Sequence, residues 1–139
     1  MDDTQVTWVD GMQFLAQSAG HGIVIDGAPG FGSDTGIPPM RLLLLGAAGC
    51  SAMDMVHILK NRMRKDLTGL KVRVTSEQAD EHPRVYTRIG LEYLVRGRGL
   101  KGKDVKRAIE LSNEKFCSAA IMLGKTADIS TSYKIEEED

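Results

Sequence analysis

Residues Ile37 to Arg64 read I-P-P-M-R-L-L-L-L-G-A-A-G-C-S-A-M-D-M-V-H-I-L-K-N-R-M-R, and the rest of the chain is organised around them. Pro38 and Pro39 stand where a helix begins, a position that tolerates proline because first-turn N–H groups have no partner anyway. No proline follows from Met40 to Arg64, so the stretch predicts one helix of about seven turns at 3.6 residues per turn. Leu42 to Met53 is apolar on every side apart from Ser51. Such a helix is buried all round, spans a membrane, or is covered by a second subunit. These 12 residues between Arg41 and Asp54 fall short of the ~20 that a bilayer requires, which argues against a membrane span. Positions i, i+4 and i+7 share a helix face, which aligns Cys50, Asp54 and His57, with Gly46 and Ala47 a turn earlier. Two readings of Cys50 stay open here. It is a small core hydrophobe under a closely packed element, or a reactive thiol among polar neighbours.

Length and composition narrow the function classes. At 139 residues and 15.2 kDa, with 42% apolar and 27% charged residues, the chain reads as one soluble globular domain over 1–139. A formal net charge of −1 offers no bulk attraction to nucleic acid or anionic membrane. Arg62, Arg64 and Lys65, or Arg96, Arg98 and Lys101, could form a basic patch, but aromatics are only 5%, and solvated surface explains them better. The acidic N-terminus, M-D-D-T-Q-V-T-W, lacks an apolar signal region, so a cytoplasmic location is the expectation. Cys50 and Cys117, 67 positions apart, make no zinc signature, and His21, His57 and His82 form no metal motif. No metal and no cofactor are therefore expected. In a reducing compartment two such cysteines are buried thiols or a redox couple.

The remaining elements follow from pattern. Gln5–Val9, Met12–Ser18 and Ile23–Ile25, with a turn signal at Asp10-Gly11, predict a three-stranded meander. Gly27 to Gly36, G-A-P-G-F-G-S-D-T-G, reads as a mobile loop and carries no phosphate fingerprint, since neither a helix nor a Lys-Ser/Thr pair follows it. Leu70–Gln78 alternates, and Val85–Val95 points Ile89, Leu91, Tyr93 and Val95 one way, so the two form a hairpin with one wet face. A second helix over Lys103–Phe116 carries Val105, Ala108, Ile109, Ser112 and Phe116 on one face. Cys117 ends it, Ser118 is a candidate cap for a short helix ending at Gly124, and Ile129–Ile135 reads as a last strand before a frayed acidic tail.

Two segments in this order resemble the OsmC/Ohr family. Gly36–Asp54, G-I-P-P-M-R-L-L-L-L-G-A-A-G-C-S-A-M-D, is similar to that family's Pro-x-x-Leu-Leu run leading into small residues and a cysteine. Its Cys-x-x-x-Asp form, Cys50 and Asp54, resembles the general OsmC-like branch. Glu114–Ser130, E-K-F-C-S-A-A-I-M-L-G-K-T-A-D-I-S, is similar to the family's second-cysteine segment and closing strand. The resemblance implies an α+β, OsmC-like fold with antiparallel sheets and a long buried central helix, built as an intertwined homodimer. It also implies a thiol-dependent peroxidase acting on organic hydroperoxides in oxidative-stress defence. Cys50 would form a sulfenic acid, Cys117 would resolve it as a disulfide, and an external dithiol or thiol would reduce the pair. The arginine and glutamate that activate the thiolate in characterised members have no counterpart: no arginine precedes Arg41, and Met40 stands ten residues before Cys50. Arg41, about two and a half turns below Cys50, would serve a partner's site or none. Asp54 would raise the Cys50 pKa unless a cation such as His57 offset it.

Three expectations follow. The first is the peroxidase, with catalytic Cys50 and Cys117 and possible support from Asp54, Arg41 and His57. The second is a non-catalytic OsmC-like dimer holding a small apolar ligand at its interface. The third treats both cysteines as core filler. All three exclude nucleic acid and membrane as partners.

Overall fold

The computed structural model describes residues 3–139. The chain falls into two compact units, Met1–Leu44 and Leu45–Asp139. In the first, β1 (Thr4–Asp10), β2 (Gln13–Ser18) and β3 (His21–Ile25) form the expected antiparallel meander in the order β1-β2-β3. Gly11, at φ +55°, makes the β1–β2 turn in a region that suits glycine. The sheet leaves its apolar residues open: β1 is exposed at every position, and Val6, Trp8, Ile23 and Val24 are among the uncovered side chains.

The segment read as a mobile loop is ordered around a buried carboxylate. Asp26 accepts hydrogen bonds from the backbone N–H groups of Gly27 (2.6 Å), Ser33 (3.3 Å) and Thr35 (3.1 Å) and from the Thr35 hydroxyl (2.5 Å). The Thr35 hydroxyl above all, working against burial, holds this carboxyl below the usual aspartate range. A Cβ at Gly32 would lie 2.5 Å from Asp26 Oδ1. Glycine there is therefore a condition of close approach, not a sign of flexibility.

The long helix α1 (Pro39–Val56) begins at the second proline and continues as a π-helical turn, His57–Arg62. The Met63 N–H donates to Ile58 O at 2.8 Å, the i→i+5 pattern of a widened turn. Within one chain the helix is not buried all round. Leu44, Ala47, Ala48, Ser51, Met55, Ile58 and Leu59 face inward, whereas Leu43, Leu45, Met53 and Val56 are exposed. The continuous run Pro39–Arg62, 24 residues with a most apolar window of mean hydropathy 1.7, is long enough to cross a membrane by length and composition. Its inward row marks it as the core helix of its fold.

The second unit is built on β4 (Asp66–Gln78), β5 (Tyr86–Arg98) and β6 (Asp128–Glu137). The β4–β5 hairpin is antiparallel, and β5 buries Ile89, Leu91, Tyr93 and Val95 as the alternation predicts. β6 departs from the all-antiparallel expectation by pairing parallel with β5, Arg88 opposite Asp128 through Gly97 opposite Glu137. Helices α2 (Gly102–Leu111) and α3 (Ser118–Leu123) lie between the two strands and return the chain to the starting end, as a parallel pair requires. Glu136 and Glu137 belong to this strand and not to a frayed tail.

Candidate functional site

Cys50 lies in the middle of α1, half-buried, and Cys117 is buried at the junction between α2's continuation and α3. A second π-helical turn, Ser112–Phe116, places Cys117. The Cys117 N–H donates to Ser112 O at 2.6 Å, so the cysteine, five residues on, occupies the inward row that the α-helical pattern assigned to Phe116. Phe116 is instead 41% exposed, with Arg62 and Lys115 over its ring. The extra residue in the turn rotates it out of the core.

Cys117, rather than Ser118, caps α3. Its Sγ accepts from the Ala120 N–H at 3.3 Å, and its thiol donates to Ala47 O at 3.8 Å. Burial pushes this thiol up to about 11, and Cys50 and Asp54 beside it add to the rise. It is therefore protonated at neutral pH.

The sulfurs of Cys50 and Cys117 and a carboxylate oxygen of Asp54 lie within 4.8 Å of one another. Linear spacing had offered no metal-type cluster, but helix α1 and the capping residue of α3 supply one in three dimensions. His57 is not part of it. Seven residues along a helix return to the same face but advance about 10 Å, and His57 is exposed with Nδ1 3.3 Å from the Asn61 amide. Arg41 is exposed and belongs to the first unit.

Behind Asp54 runs a buried polar chain that periodicity did not single out. Asn113 Nδ2 lies 2.9 Å from Tyr93 OH, Tyr93 OH 2.6 Å from Ser51 Oγ, Ser51 Oγ 2.8 Å from Ser112 Oγ, and Ser112 Oγ 2.9 Å from Asp54 Oδ2. A carboxylate only accepts and each hydroxyl carries one proton, so the direction of the whole chain is set. Ser112 donates to Asp54, Ser51 to Ser112, Tyr93 to Ser51, and Asn113 to Tyr93. Burial, first among the causes, raises the Tyr93 pKa, which keeps its proton in place. The sequence signal for this chain was weak but present: Ser51 alone broke the apolar helix, and Ser112 stood in an inward-facing row. Hollows of about 490 Å³ and 420 Å³ elsewhere in the second unit are lined by none of Cys50, Asp54 or Cys117.

A family model described as OsmC-like protein matches residues 32–132. Protein YhfA of Escherichia coli K12 is 46% identical over 132 residues, covering 94% of this chain and 96% of the relative. A solved structure described only as structural genomics, without a stated organism, is 42% identical with a TM-score of 0.87, covering 98% of this chain and 99% of its own. The organic hydroperoxide resistance protein OhrB of Bacillus subtilis shares the fold at 18% identity and a TM-score of 0.62, covering 95% of this chain and 98% of its own. With the element order, both cysteine segments and these matches in agreement, the chain belongs to the OsmC-like protein family.

Proposed function

We propose that this protein is a thiol-dependent peroxidase that reduces organic hydroperoxides, with Cys50 as the attacking thiolate and Cys117 as the resolving thiol. The observation that carries the reading is one half-buried and one buried sulfur, on separate elements, within 4.8 Å. Cys50 sulfur attacks the outer peroxide oxygen: an S–O bond forms, the O–O bond breaks, and the alkoxide leaves as an alcohol after taking a proton. The sulfur is thereby oxidised to a sulfenic acid and the peroxide reduced. Cys117 then attacks the Cys50 sulfur, an S–S bond forms, and the hydroxyl leaves as water with the Cys117 proton. The sulfurs must close to about 2.05 Å. Asp54, within 4.8 Å of both sulfurs, relays that proton in this reading. An external dithiol restores both thiols, and no cofactor is required.

The working form in this reading is a homodimer in the cytoplasm, where the surroundings keep resting thiols reduced. A second copy would cover the apolar residues left open on the first sheet and on α1, and Arg41 would be available to the partner's Cys50. The same open apolar residues favour a second reading, a non-catalytic dimer that holds a small apolar ligand at its interface.

The two are separated by mixing fully reduced protein with one equivalent of an organic hydroperoxide, and separately hydrogen peroxide, and following free thiols and intact mass. Loss of both thiols, a mass lower by two hydrogens and a faster reaction with the organic peroxide are expected. Cys117→Ser should stop with Cys50 oxidised, and Cys50→Ser should not react. Survival of both thiols would overturn the peroxidase reading.

A further inference from the structure

We infer that the reduced Cys50–Asp54–Cys117 group also binds a thiophilic divalent cation, zinc(II) above all. The inference does not rest on the peroxidase reading, since a chain inert to hydroperoxide would bind the ion equally. The three ligand-type atoms lie within 4.8 Å of one another. A tetrahedral zinc with Zn–S near 2.3 Å and Zn–O near 2.0–2.2 Å needs its ligand atoms about 3.5–3.8 Å apart. A contraction of about an ångström therefore completes the site, less than the movement that a disulfide demands.

The donor set selects the metal class. Two thiolates and one carboxylate favour zinc over magnesium or calcium, which prefer oxygen alone. Three protein ligands leave a fourth position open to water, as in open zinc centres.

Two further observations point to a cation. Among the described residues no lysine, arginine or histidine forms an ion pair with Asp54, so a part-buried carboxylate stands between two thiols with no paired positive charge. Its orientation is set by Ser112, which Ser51 holds and Tyr93 holds in turn through Ser51, the outer-shell support that ligating carboxylates have in metal centres. The Cys117 sulfur accepts from the Ala120 N–H, a contact that a thiolate keeps, and half-buried Cys50 gives the ion a way in.

Binding forms two S–metal bonds and one O–metal bond, thiol protons leave to solvent, and no electron moves. A disulfide between Cys50 and Cys117 would remove both sulfur ligands. Metal and disulfide are therefore mutually exclusive states of one site.

The test is an anaerobic titration of the reduced full-length protein with cobalt(II), followed by zinc(II). Expected are a near-ultraviolet thiolate-to-cobalt charge-transfer band saturating at one ion per chain, visible bands of four-coordinate cobalt, and bleaching of both by zinc. Cys50→Ser and Cys117→Ser should each lower the charge-transfer intensity to about half, and Asp54→Asn should weaken binding by about tenfold or more, the usual range for outer-shell and ligand support. Because a cysteine variant can lose stability, zinc should also raise the thermal midpoint of reduced wild-type protein but not of protein oxidised with diamide. Absence of the charge-transfer band at saturating cobalt, its persistence without both cysteines, or unchanged affinity in Asp54→Asn would overturn the inference. Hydroperoxide consumption, measured on the same metal-free protein, reports separately on the peroxidase reading.

Discussion

Cys117 and Ser112 carry two predictions at the scale of single residues. With its pKa pushed up to about 11, Cys117 is a minor thiolate throughout the neutral range, and its thiolate fraction rises roughly tenfold per pH unit there. Disulfide closure after Cys50 is oxidised should therefore accelerate from pH 6 to 9 by about that factor per unit, read from how quickly the sulfenic acid escapes a dimedone trap. A flat profile would mean that Cys117 reacts without prior loss of its proton. Ser112 is fully buried, accepts from Ser51 and donates to Asp54. Ser112→Ala leaves a buried Ser51 donor without an acceptor and removes a charge-assisted bond, at a cost of about 1–3 kcal/mol. Urea unfolding of the reduced protein measures it. A change within error would mean that water replaces the lost hydroxyl.

At the scale of elements, the two π-helical turns do what a regular helix could not. Each inserts an extra residue into a turn, and the second exchanges Phe116 for Cys117 on the inward row. If Phe116 lay in the core, Phe116→Ala would cost about 3–5 kcal/mol. Since it is exposed beneath Arg62 and Lys115, the expected cost is about 1 kcal/mol, the worth of an exposed cation–π contact. A thermal or chemical denaturation series separates these values. The elements also explain why the polar chain is continuous: Ser51 comes from α1, Tyr93 from β5, and Ser112 and Asn113 from the π-helical turn that continues α2.

At the scale of the whole molecule, the open apolar surface is the main unresolved load. Trp8 and Val6 on the first sheet of one unit, and Leu45 and Met53 on α1 in the other, are each more than half exposed, large apolar side chains of the kind that a partner surface covers. A homodimer of 15.2 kDa chains is the expected species in sedimentation. Met53→Glu, which places a charge on the uncovered face of α1, should shift it to monomer. A monomeric wild-type protein at micromolar concentration would remove the dimer from the account and with it any role for Arg41 at a partner's site.

How much was legible in the sequence depends on the range of the interactions. The meander, the central helix, the hairpin alternation and the Cys50–Asp54 face follow from local periodicity and turn chemistry, which act over a few residues, and they were readable directly. The resemblance carried by the two cysteine segments led to the family. Periodicity failed where one residue was inserted: a π turn is rare and leaves no mark in the α-helical spacing, so Phe116 and Cys117 could not be sorted from spacing alone. The loop after Asp26 looked mobile because composition counts glycines, while its order comes from one carboxylate binding four donors. The convergence of Cys50, Asp54 and Cys117, and the direction of the polar chain behind them, were decided only by tertiary structure. They join residues up to 67 positions apart, and no local energy term in the sequence encodes which distant side chains will meet.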